Sequence, residues 1–302
     1  MLEIYDKRNN TGNKEMKIGA VIVLYEPILN MLTKTLDALM PQVDMVCMVD
    51  NSNTDNSLWF ASFPSILYIP LKKNIGIAAA QNLGIKELMR QGCSHILFSD
   101  QDSVMAENTV KQLYSAICDL QEKGISIATV GTAAINSRTG KRYPSRAIHK
   151  GMLEKNGRLY EEVDYVRCSV SLTPVISLKA VGGMEEPLFI DGVDSEWCWR
   201  AAKHQLRTFI VDDAVIYHNL GLKDKKIGNK DITIPSSFRM YYQYRNYFKL
   251  ISREYVPIRW KIKNGFKYLF KIPYYSLICT NRKQNFQQLC KGIKDGINKP
   301  IY

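Results

Sequence analysis

Strand-like and helix-like segments alternate through the first half of this chain, and this alternation limits the possible folds more than any other feature. Short apolar runs predict five strands, at residues 18–25, 43–49, 66–71, 94–99 and 126–134. Amphipathic helices are predicted between them, at residues 29–40, 77–90 and 108–123. Strands that alternate with helices of this length form βαβ units. We therefore predict an α/β fold with a mostly parallel central sheet flanked by helices.

The pattern changes after residue 136. Glycine and proline interrupt the following segment, which indicates irregular antiparallel strands rather than further βαβ units. These strands are predicted within residues 139–175, helices at 178–182 and 194–204, a strand at 207–217, and mainly helices from 235 onward.

The composition is that of a globular chain with a large core. It has 302 residues, of which 46% are hydrophobic. No apolar run reaches the roughly 18 residues of a membrane span, and residues 1–17 lack the apolar centre of a secretory signal. The seven cysteines are scattered without a CxxC pair, which favours reduced cytoplasmic thiols over disulfides or a zinc site. We therefore expect a cytoplasmic location.

Positive charge is concentrated near the C-terminal end. Residues 239–302 contain 14 Lys and Arg against two acids, which accounts for the net charge of +12, and they are rich in aromatic residues. This region is either a solvated helical face with its aromatics in the core or a peripheral attachment to the anionic inner face of the cell membrane. Nucleic-acid binding is disfavoured because the charge is confined to this region and no known motif is present.

The triplet Asp100-Gln101-Asp102 follows the strand predicted at residues 94–99. Acids spaced i, i+2 project from the same side of an extended segment. Their oxygens suit hard cations such as Mg²⁺ or Mn²⁺, which usually keep water or phosphate oxygens as their other ligands. The triplet therefore predicts a place to hold a nucleotide diphosphate through a metal ion. The alternative is an ordinary cap or solvated turn, which also uses paired acids.

Other polar groups are predicted at the same edge of the sheet. Tyr25 and Asp50 also follow strands, and ligands of such sheets lie beyond the carboxyl ends of the strands. Small residues follow Asn74, from Gly76 past Asn82, at the start of a helix. They can let an anionic group approach the backbone amides or can simply allow tight packing. The sequence leaves both alternatives open.

A second acidic cluster, Asp191 and Asp194, lies just before and in the first turn of the helix predicted at 194–204. Each acid is a candidate N-cap, or a general base that takes a proton from a sugar hydroxyl. His218 ends an apolar strand. It is either bonded within a loop or a third metal ligand, because neutral imidazole binds Mn²⁺.

Taken together, these segments resemble glycosyltransferase family 2, whose members have the GT-A fold. The resemblance covers about residues 17–222. It rests on Val23-Leu24-Tyr25-Glu26-Pro27, Asp50-Asn51-Ser52, Asn74-x-Gly76, Asn82-x-Gly84, Asp100-Gln101-Asp102, Val181-Gly182-Gly183-Met184, the segment from Phe189 to Arg200, and His218-x-x-Gly221, in the family's order. Within the family, Asp-Gln-Asp-Ser and Phe-Ile-Asp-Gly-Val-Asp-Ser-Glu-Trp-Cys resemble bacterial rhamnosyltransferases.

The resemblance implies an inverting glycosyltransferase that uses a nucleotide sugar and Mg²⁺ or Mn²⁺. It implies that Asp50 recognises the base, Asp100 contacts sugar or ribose, and Asp102 binds the metal. His218 matches a position that ligates the metal in some members only. The other expected nucleotide-sugar contacts are Tyr25, Asn74, Gly76, Asn82 and Gln101.

The catalytic base is not fixed by the resemblance. Asp194 matches the acid of the family's Glu-Asp pair, which is the usual base. Val193 stands where many members have Glu, and Asp191 is an additional acid three residues before Asp194. The base is therefore open between Asp194 and Asp191, and we prefer Asp194.

The subfamily resemblance suggests dTDP-L-rhamnose as donor and a saccharide, free or lipid-linked, as acceptor in the synthesis of a bacterial surface polysaccharide. The alternatives are a transferase that uses a UDP-sugar, or a non-catalytic module that binds a sugar nucleotide or polysaccharide. The expected organisation is an N-terminal extension (1–16), a GT-A domain (17–234) with a nucleotide-binding half (17–136) and an acceptor half (137–234), and a C-terminal helical region (235–302).

Overall fold

A computed structural model describes most of the chain. The described residues are 16–136, 142–143, 145, 147–167, 169–218, 225–227, 230–232, 235–279 and 281–298. Residues 1–15 of the predicted N-terminal extension lie outside them.

Strands of the described residues form one large mixed sheet and a separate hairpin. The large sheet contains β1 (Ile18–Leu24), β2 (Met45–Asp50), β3 (Ile66–Pro70), β4 (His95–Asp100), β5 (Val104–Met105), β6 (Ile127–Asn136), β7 (His149–Lys155), β8 (Arg158–Val163), β9 (Val170–Pro174) and β10 (Arg207–His218). The hairpin is formed by β11 (Lys225–Ile227) and β12 (Lys230–Ile232). The order in the large sheet is β3-β2-β1-β4-β9-β6-β10-β8-β7, and β5 pairs with β10.

Strand direction brings the predicted site residues to one rim. The strands β3, β2, β1 and β4 are mutually parallel. The next strand, β9, is antiparallel to both β4 and β6, so β6 runs in the direction of β4, and β10 is parallel to β6. The carboxyl ends of β1, β2, β4 and β10 therefore lie at one edge of the sheet, which is the rim. The predicted α/β fold is confirmed, and antiparallel pairs enter where the sequence pattern changes.

Helices cover both faces of the sheet. The α-helices of the described residues are α1 (Leu29–Leu39), α2 (Ser57–Phe60), α3 (Ile77–Arg90), α4 (Thr109–Glu122), α5 (Val175–Val181), α6 (Val193–Lys203), α7 (Ser237–Ile251), α8 (Ile258–Pro273) and α9 (Arg282–Asn298). Successive residues of β1 face opposite sides, as a strand requires. Val21 is buried with Leu88 of α3 and Trp197 of α6, whereas Ile22 is buried with Leu36 of α1.

The three C-terminal helices pack against one another and onto the segment before α6. Gly292 lets α9 approach α7, because a Cβ atom there would lie 2.5 Å from the carbonyl oxygen of Tyr241. The Asn246 amide of α7 donates to the carbonyl oxygens of Leu188 and Asp191, each at 2.8 Å. Helix α7 is therefore held beside Asp191 and the start of α6. Within the described residues, no helix combines the length and apolar character that a membrane crossing needs.

Candidate active site

Asp50 ends β2 and is almost completely buried, at 1% exposure. Its Oδ1 accepts from the Ser52 amide at 3.0 Å, and its Oδ2 accepts from the Asn56 side chain at 2.8 Å and the Tyr68 hydroxyl at 2.6 Å. Burial and this carboxylate raise the pKa of Tyr68. The carboxylate is thus held by the loop that follows its own strand. The predicted contact with a nucleotide base stays a prediction.

Asn74 and Gly76 shape the loop that leads into α3. The Asn74 carboxamide oxygen accepts from the Asn51 side chain at 2.9 Å and from the Gly76 amide at 3.0 Å. Gly76 has a φ of 88°, and a Cβ atom there would lie 2.6 Å from the Phe189 ring. The Ile77 amide donates to the Phe189 carbonyl at 2.7 Å. Gly76 thus serves close packing against Phe189, whose carbonyl takes the first amide of α3, and the approach of an anionic group to this loop stays a prediction.

Asn82 joins α3 to the loop before α6. Its Oδ1 accepts from the Met184 amide at 2.7 Å, and its Nδ2 donates to the Met184 carbonyl and to Glu186, each at 2.9 Å. The motif residue therefore has a structural contact of its own, 102 residues away in sequence. A direct contact to nucleotide sugar stays a prediction.

Gln101 connects the acidic triplet to the end of β1. The Tyr25 amide donates to the Gln101 Oε1 at 2.9 Å, and the Gln101 Nε2 donates to the Tyr25 carbonyl at 3.2 Å. The Tyr25 side chain is 49% exposed. The ring is therefore presented at the rim while the Gln101 side chain holds the backbone beneath it.

Three of the predicted carboxylates come together at the end of β4. The pKa of Asp100 is raised to about 7, first by burial and then by the charges of Asp194 and Asp102. Arg167 and Arg239 act in the opposite direction. Burial thus disfavours the charged form of Asp100, and the other two carboxylates of this acidic cluster (Asp100, Asp102 and Asp194) add to that effect. Asp102 is exposed, whereas Asp100 and Asp194 are partly buried.

The two candidates for the base have different surroundings. Asp194 lies in the first turn of α6, whose N-cap is Gly192. Asp191 has a left-handed φ of 63°, and its two oxygens accept from Arg239 of α7, with Nε to Oδ2 at 2.8 Å and Nη2 to Oδ1 at 2.7 Å. A bidentate guanidinium pair fixes a carboxylate as an acceptor. Asp194 is the larger of the two acidic contributions to the raised pKa of Asp100.

His218 is placed by its backbone alone, because its side chain lies outside what the structure describes. In the antiparallel pair of β5 and β10, Tyr217 lies opposite Val104. Val104 is two residues after Asp102, and His218 follows Tyr217 at the end of β10. A shared metal contact of Asp102 and His218 stays a prediction.

The donor set fits a hard divalent cation that takes only a few ligands from the protein. Within the described part of the chain, no group of three or more His, Cys, Asp or Glu side chains is arranged to hold a metal. Clustered carboxylate oxygens with excess negative charge are nevertheless the chemistry that attracts Mg²⁺ or Mn²⁺. Phosphate and water oxygens would have to complete the coordination.

Sequence reasoning missed the two arginines of this site. Arg239 lies 48 residues from the aspartate that it pairs with, and its only signal was membership of the basic C-terminal region. Arg167 stands within the irregular segment and carried no motif. It also lines a cavity of about 240 Å³ beside Asp100, together with Arg142, Tyr143 and Tyr165.

The geometry is that of an α/β protein with clustered carboxylates beyond the ends of parallel strands, which is where ligands of such sheets bind. Residues 20–172 match the family described as glycosyl transferase family 2. The chain belongs to this family and is a glycosyltransferase. It is 32% identical over 282 residues to a protein of Shigella flexneri named dTDP-rhamnosyl transferase RfbF, covering 91% of this chain and 93% of that protein.

Solved structures show the same fold at low sequence identity. The crystal structure of S. aureus TarS 1-349 has a TM-score of 0.58 at 14% identity, covering 94% of this chain and 81% of that chain. The crystal structure of GalNAc-T7 with UDP, GalNAc and Mn²⁺ has a TM-score of 0.56 at 12% identity, covering 92% of this chain and 55% of that chain. These likenesses support the GT-A fold, and the rhamnosyltransferase resemblance rests on the Shigella protein.

Proposed function

We propose that this glycosyltransferase moves L-rhamnose from dTDP-L-rhamnose to a saccharide acceptor, with inversion, during the synthesis of a bacterial surface polysaccharide. The observation that supports the mechanism is the acidic cluster, in which the carboxylates of Asp102 and Asp194, from two distant segments, both act on that of Asp100. The name of the Shigella relative, at 32% identity over most of both chains, supports the donor.

The proposed chemistry is a single displacement. Asp194 takes the proton of the acceptor hydroxyl while that oxygen attacks the anomeric carbon and the bond from this carbon to the diphosphate oxygen breaks. The Asp191 carboxylate is held by Arg239 and serves to position α7 beside the site. The place of Asp194 in the acidic cluster beside Asp100 supports it over Asp191 as the base.

We propose that Asp102, together with His218, holds Mg²⁺ or Mn²⁺. Such an ion acts as a Lewis acid on the leaving diphosphate. Asp100 is proposed to face the sugar or ribose. With its raised pKa, the protonated carboxyl can donate a hydrogen bond to a hydroxyl oxygen near neutral pH, and the ionised carboxylate can accept one from a hydroxyl.

The nucleotide itself is proposed to bind along the neighbouring strand ends. Tyr25 offers an exposed ring for the base, and Asp50 an acceptor for a base N–H. The remaining proposed contacts come from the loops that Asn74, Gly76, Asn82 and Gln101 hold in place. The nucleotide-binding half (17–136), the acceptor half (137–234) and the helical C-terminal region (235–302) are proposed units of this organisation.

The proposed setting is cytoplasmic, at the inner face of the cell membrane, where a lipid-linked acceptor would be found. The basic C-terminal region is the part proposed to meet that surface.

A panel of nucleotide sugars tests the donor. We expect calorimetry with Mn²⁺ to show tighter binding of dTDP-L-rhamnose than of UDP-glucose or UDP-GlcNAc. In transfer assays with acceptor, only the rhamnose donor should release its nucleoside diphosphate. NMR of the anomeric centre should show inverted configuration in the product. Preferential binding and turnover of a UDP-sugar would replace the rhamnose donor with that alternative, and retained configuration would reject the single displacement.

A further inference from the structure

Helix α8 carries its apolar side chains on the side that faces water. Five large apolar residues are between 55% and 73% exposed: Ile258, Ile262, Phe266, Leu269 and Phe270. Their spacing places them on one face of a helix with 3.6 residues per turn. None of the residues of α8 is buried. A helix that belongs to a globular core directs its apolar stripe inward, so this stripe has the opposite orientation.

The inner face of α8 is already occupied by contacts with the rest of the protein. The Tyr244 hydroxyl donates to the Tyr268 carbonyl at 2.8 Å, and the Tyr247 hydroxyl donates to the Lys261 carbonyl at 3.1 Å. The Trp260 ring lies 4.9 Å from the Trp199 ring, edge to face. These contacts fix the rotation of the helix about its axis. The apolar stripe therefore cannot turn inward without breaking them.

The charge of α8 identifies what would cover the stripe. The helix contains five basic residues and no acid. Arg259, Lys263 and Lys267 are exposed. At 100° per residue, Lys263 and Lys267 follow one border of the stripe, and Arg259 lies just inside that border, between Phe266 and Phe270. A second copy of the chain packed here by twofold symmetry would place these like charges against one another. An anionic lipid surface instead pairs the basic border with headgroups and the apolar stripe with acyl chains.

We propose that the apolar stripe of α8, with its basic border, is the surface by which this protein docks onto an anionic membrane. The helix would lie in the plane of the interface, with Phe266 and Leu269 at the centre of the inserted face.

This docking surface is close to the proposed active site. Burial and the Asp191 carboxylate raise the pKa of Tyr268, which projects from the inner side of α8. The inner face of the helix therefore approaches the pair of Asp191 and Arg239. Because a helix with its side chains is about 10–12 Å across, a membrane on the outer face of α8 would bring lipid headgroups near the acceptor side of the rim. The docking surface rests on the membrane setting of the proposed function and names the part of the C-terminal region that makes the contact, and the use of this proximity for a lipid-linked acceptor rests on the proposed transfer.

The test is sedimentation with vesicles, without nucleotide or acceptor. We expect the full chain to bind phosphatidylcholine vesicles that contain about one third phosphatidylserine, and to bind pure phosphatidylcholine much more weakly. Phe266→Ser with Leu269→Ser should weaken binding to the anionic vesicles by at least about tenfold, since each buried side chain of this size contributes roughly that factor. Arg259→Gln with Lys263→Gln should weaken binding to anionic vesicles and remove much of its salt dependence.

A matched control uses exposed apolar residues on another element. Met152→Ser with Leu159→Ser, on the β7–β8 hairpin, should bind anionic vesicles like the unmodified chain. Circular dichroism and transfer to a water-soluble acceptor should be unchanged in the α8 variants, which separates membrane docking from folding and from the chemical step. If the unmodified chain showed no sugar transfer in solution, this would count against the proposed function, and the result on vesicle binding would still stand.

Three outcomes would overturn the proposal. They are no binding of the unmodified chain to anionic vesicles at low salt, equal binding by the Phe266→Ser, Leu269→Ser variant, and a dimer in sedimentation velocity that this variant converts to monomer. The last result would assign the stripe to contact between two copies of the chain.

Discussion

Polar side chains are held in opposite ways on the two sides of the rim. On the nucleotide side, Asn51, Asn74, Asn82 and Gln101 satisfy one another and the surrounding backbone with hydrogen bonds. On the other side, the acidic cluster gathers carboxylates around Asp100, and burial first, then the charges of Asp194 and Asp102, raise the pKa of Asp100 to about 7. The first side is complete without a ligand. The second is unfavourable until a proton or a cation neutralises it.

This contrast indicates a division of labour. Amide side chains that bond to the backbone fix loop positions and do not change their charge with pH. Clustered carboxylates have altered proton affinity, which is the property needed for proton transfer and cation binding. We therefore expect substitutions among the amides of the nucleotide side (the amide side) to affect mainly the stability of the fold. Substitutions in the acidic cluster (the acidic side) should affect turnover and metal-dependent binding.

The largest effect is expected from Asp194→Asn. Removal of a general base lowers turnover by about 10²–10⁴-fold, whereas calorimetric affinity for dTDP-L-rhamnose should stay within a few fold. Asp191→Asn is the matched variant and should retain most turnover, because Asp191 is already paired with Arg239. If the two variants exchanged these results, Asp191 would be the base and the assignment to Asp194 would be wrong.

Asp102→Ala should remove the part of donor binding that depends on metal. We expect the affinity for dTDP measured with Mn²⁺ to fall by at least about tenfold, to the value found in EDTA, because a divalent cation supplies much of the attraction for a diphosphate. Glu107→Ala removes another exposed acid that follows β5 and should leave the affinity unchanged. An unchanged response of the Asp102→Ala variant to Mn²⁺ would contradict the metal role.

Much of the fold could be predicted from the sequence because its signals are local. The helix predicted at residues 77–90 is α3 without any shift, and the other elements predicted for the first half differ by two residues or fewer at their ends, although the short α2 and β5 were not predicted. The antiparallel strands between residues 139 and 175 also follow from local glycine and proline. Periodicity and turn residues act over a few neighbours, so a single sequence reports them well.

For the candidate site, the sequence predicts the residues that lie in recognisable motifs, but not the contacts between distant segments. Asp100, Asp102 and Asp194 were named from strand and helix ends, and they do come together. The pairing of Asp191 with Arg239 depends on how α7 folds back over 48 residues. The contact of Gly76 with Phe189 likewise depends on tertiary packing. Neither leaves a local pattern, because the partner is chosen by the assembled fold.

Asn82→Ala tests the structural role of the amide side. The substitution removes three hydrogen bonds to Met184 and Glu186, so the free energy of unfolding should fall by about 1–3 kcal/mol. Chemical denaturation measures this change, and Asn53→Ala, at an exposed position, provides the control. A variant with unaltered stability and much weaker donor binding would make Asn82 a ligand contact instead.

The smallest effect, and the sharpest contrast between the two sides, concerns pH. In metal-free buffer, Asp100 keeps its proton up to about pH 7 in the folded chain but loses it near 3.8 when unfolded. The folded state therefore binds more protons between these values, and the carboxyl makes folding less favourable as pH rises through this window. Above pH 7 both states are ionised, so its contribution becomes constant.

Asp100→Asn should remove this dependence. We expect the variant to gain little stability near pH 4 and on the order of 1–2 kcal/mol above pH 7, a value kept modest because water reaches part of the carboxyl. The loss of stability caused by Asn82→Ala should be the same throughout this range, because an amide does not titrate. Denaturation curves of both variants in EDTA at several pH values provide the measurement. A pH-independent effect of Asp100→Asn would mean that the acidic side is as fully satisfied as the amide side, and the division of labour between them would be lost.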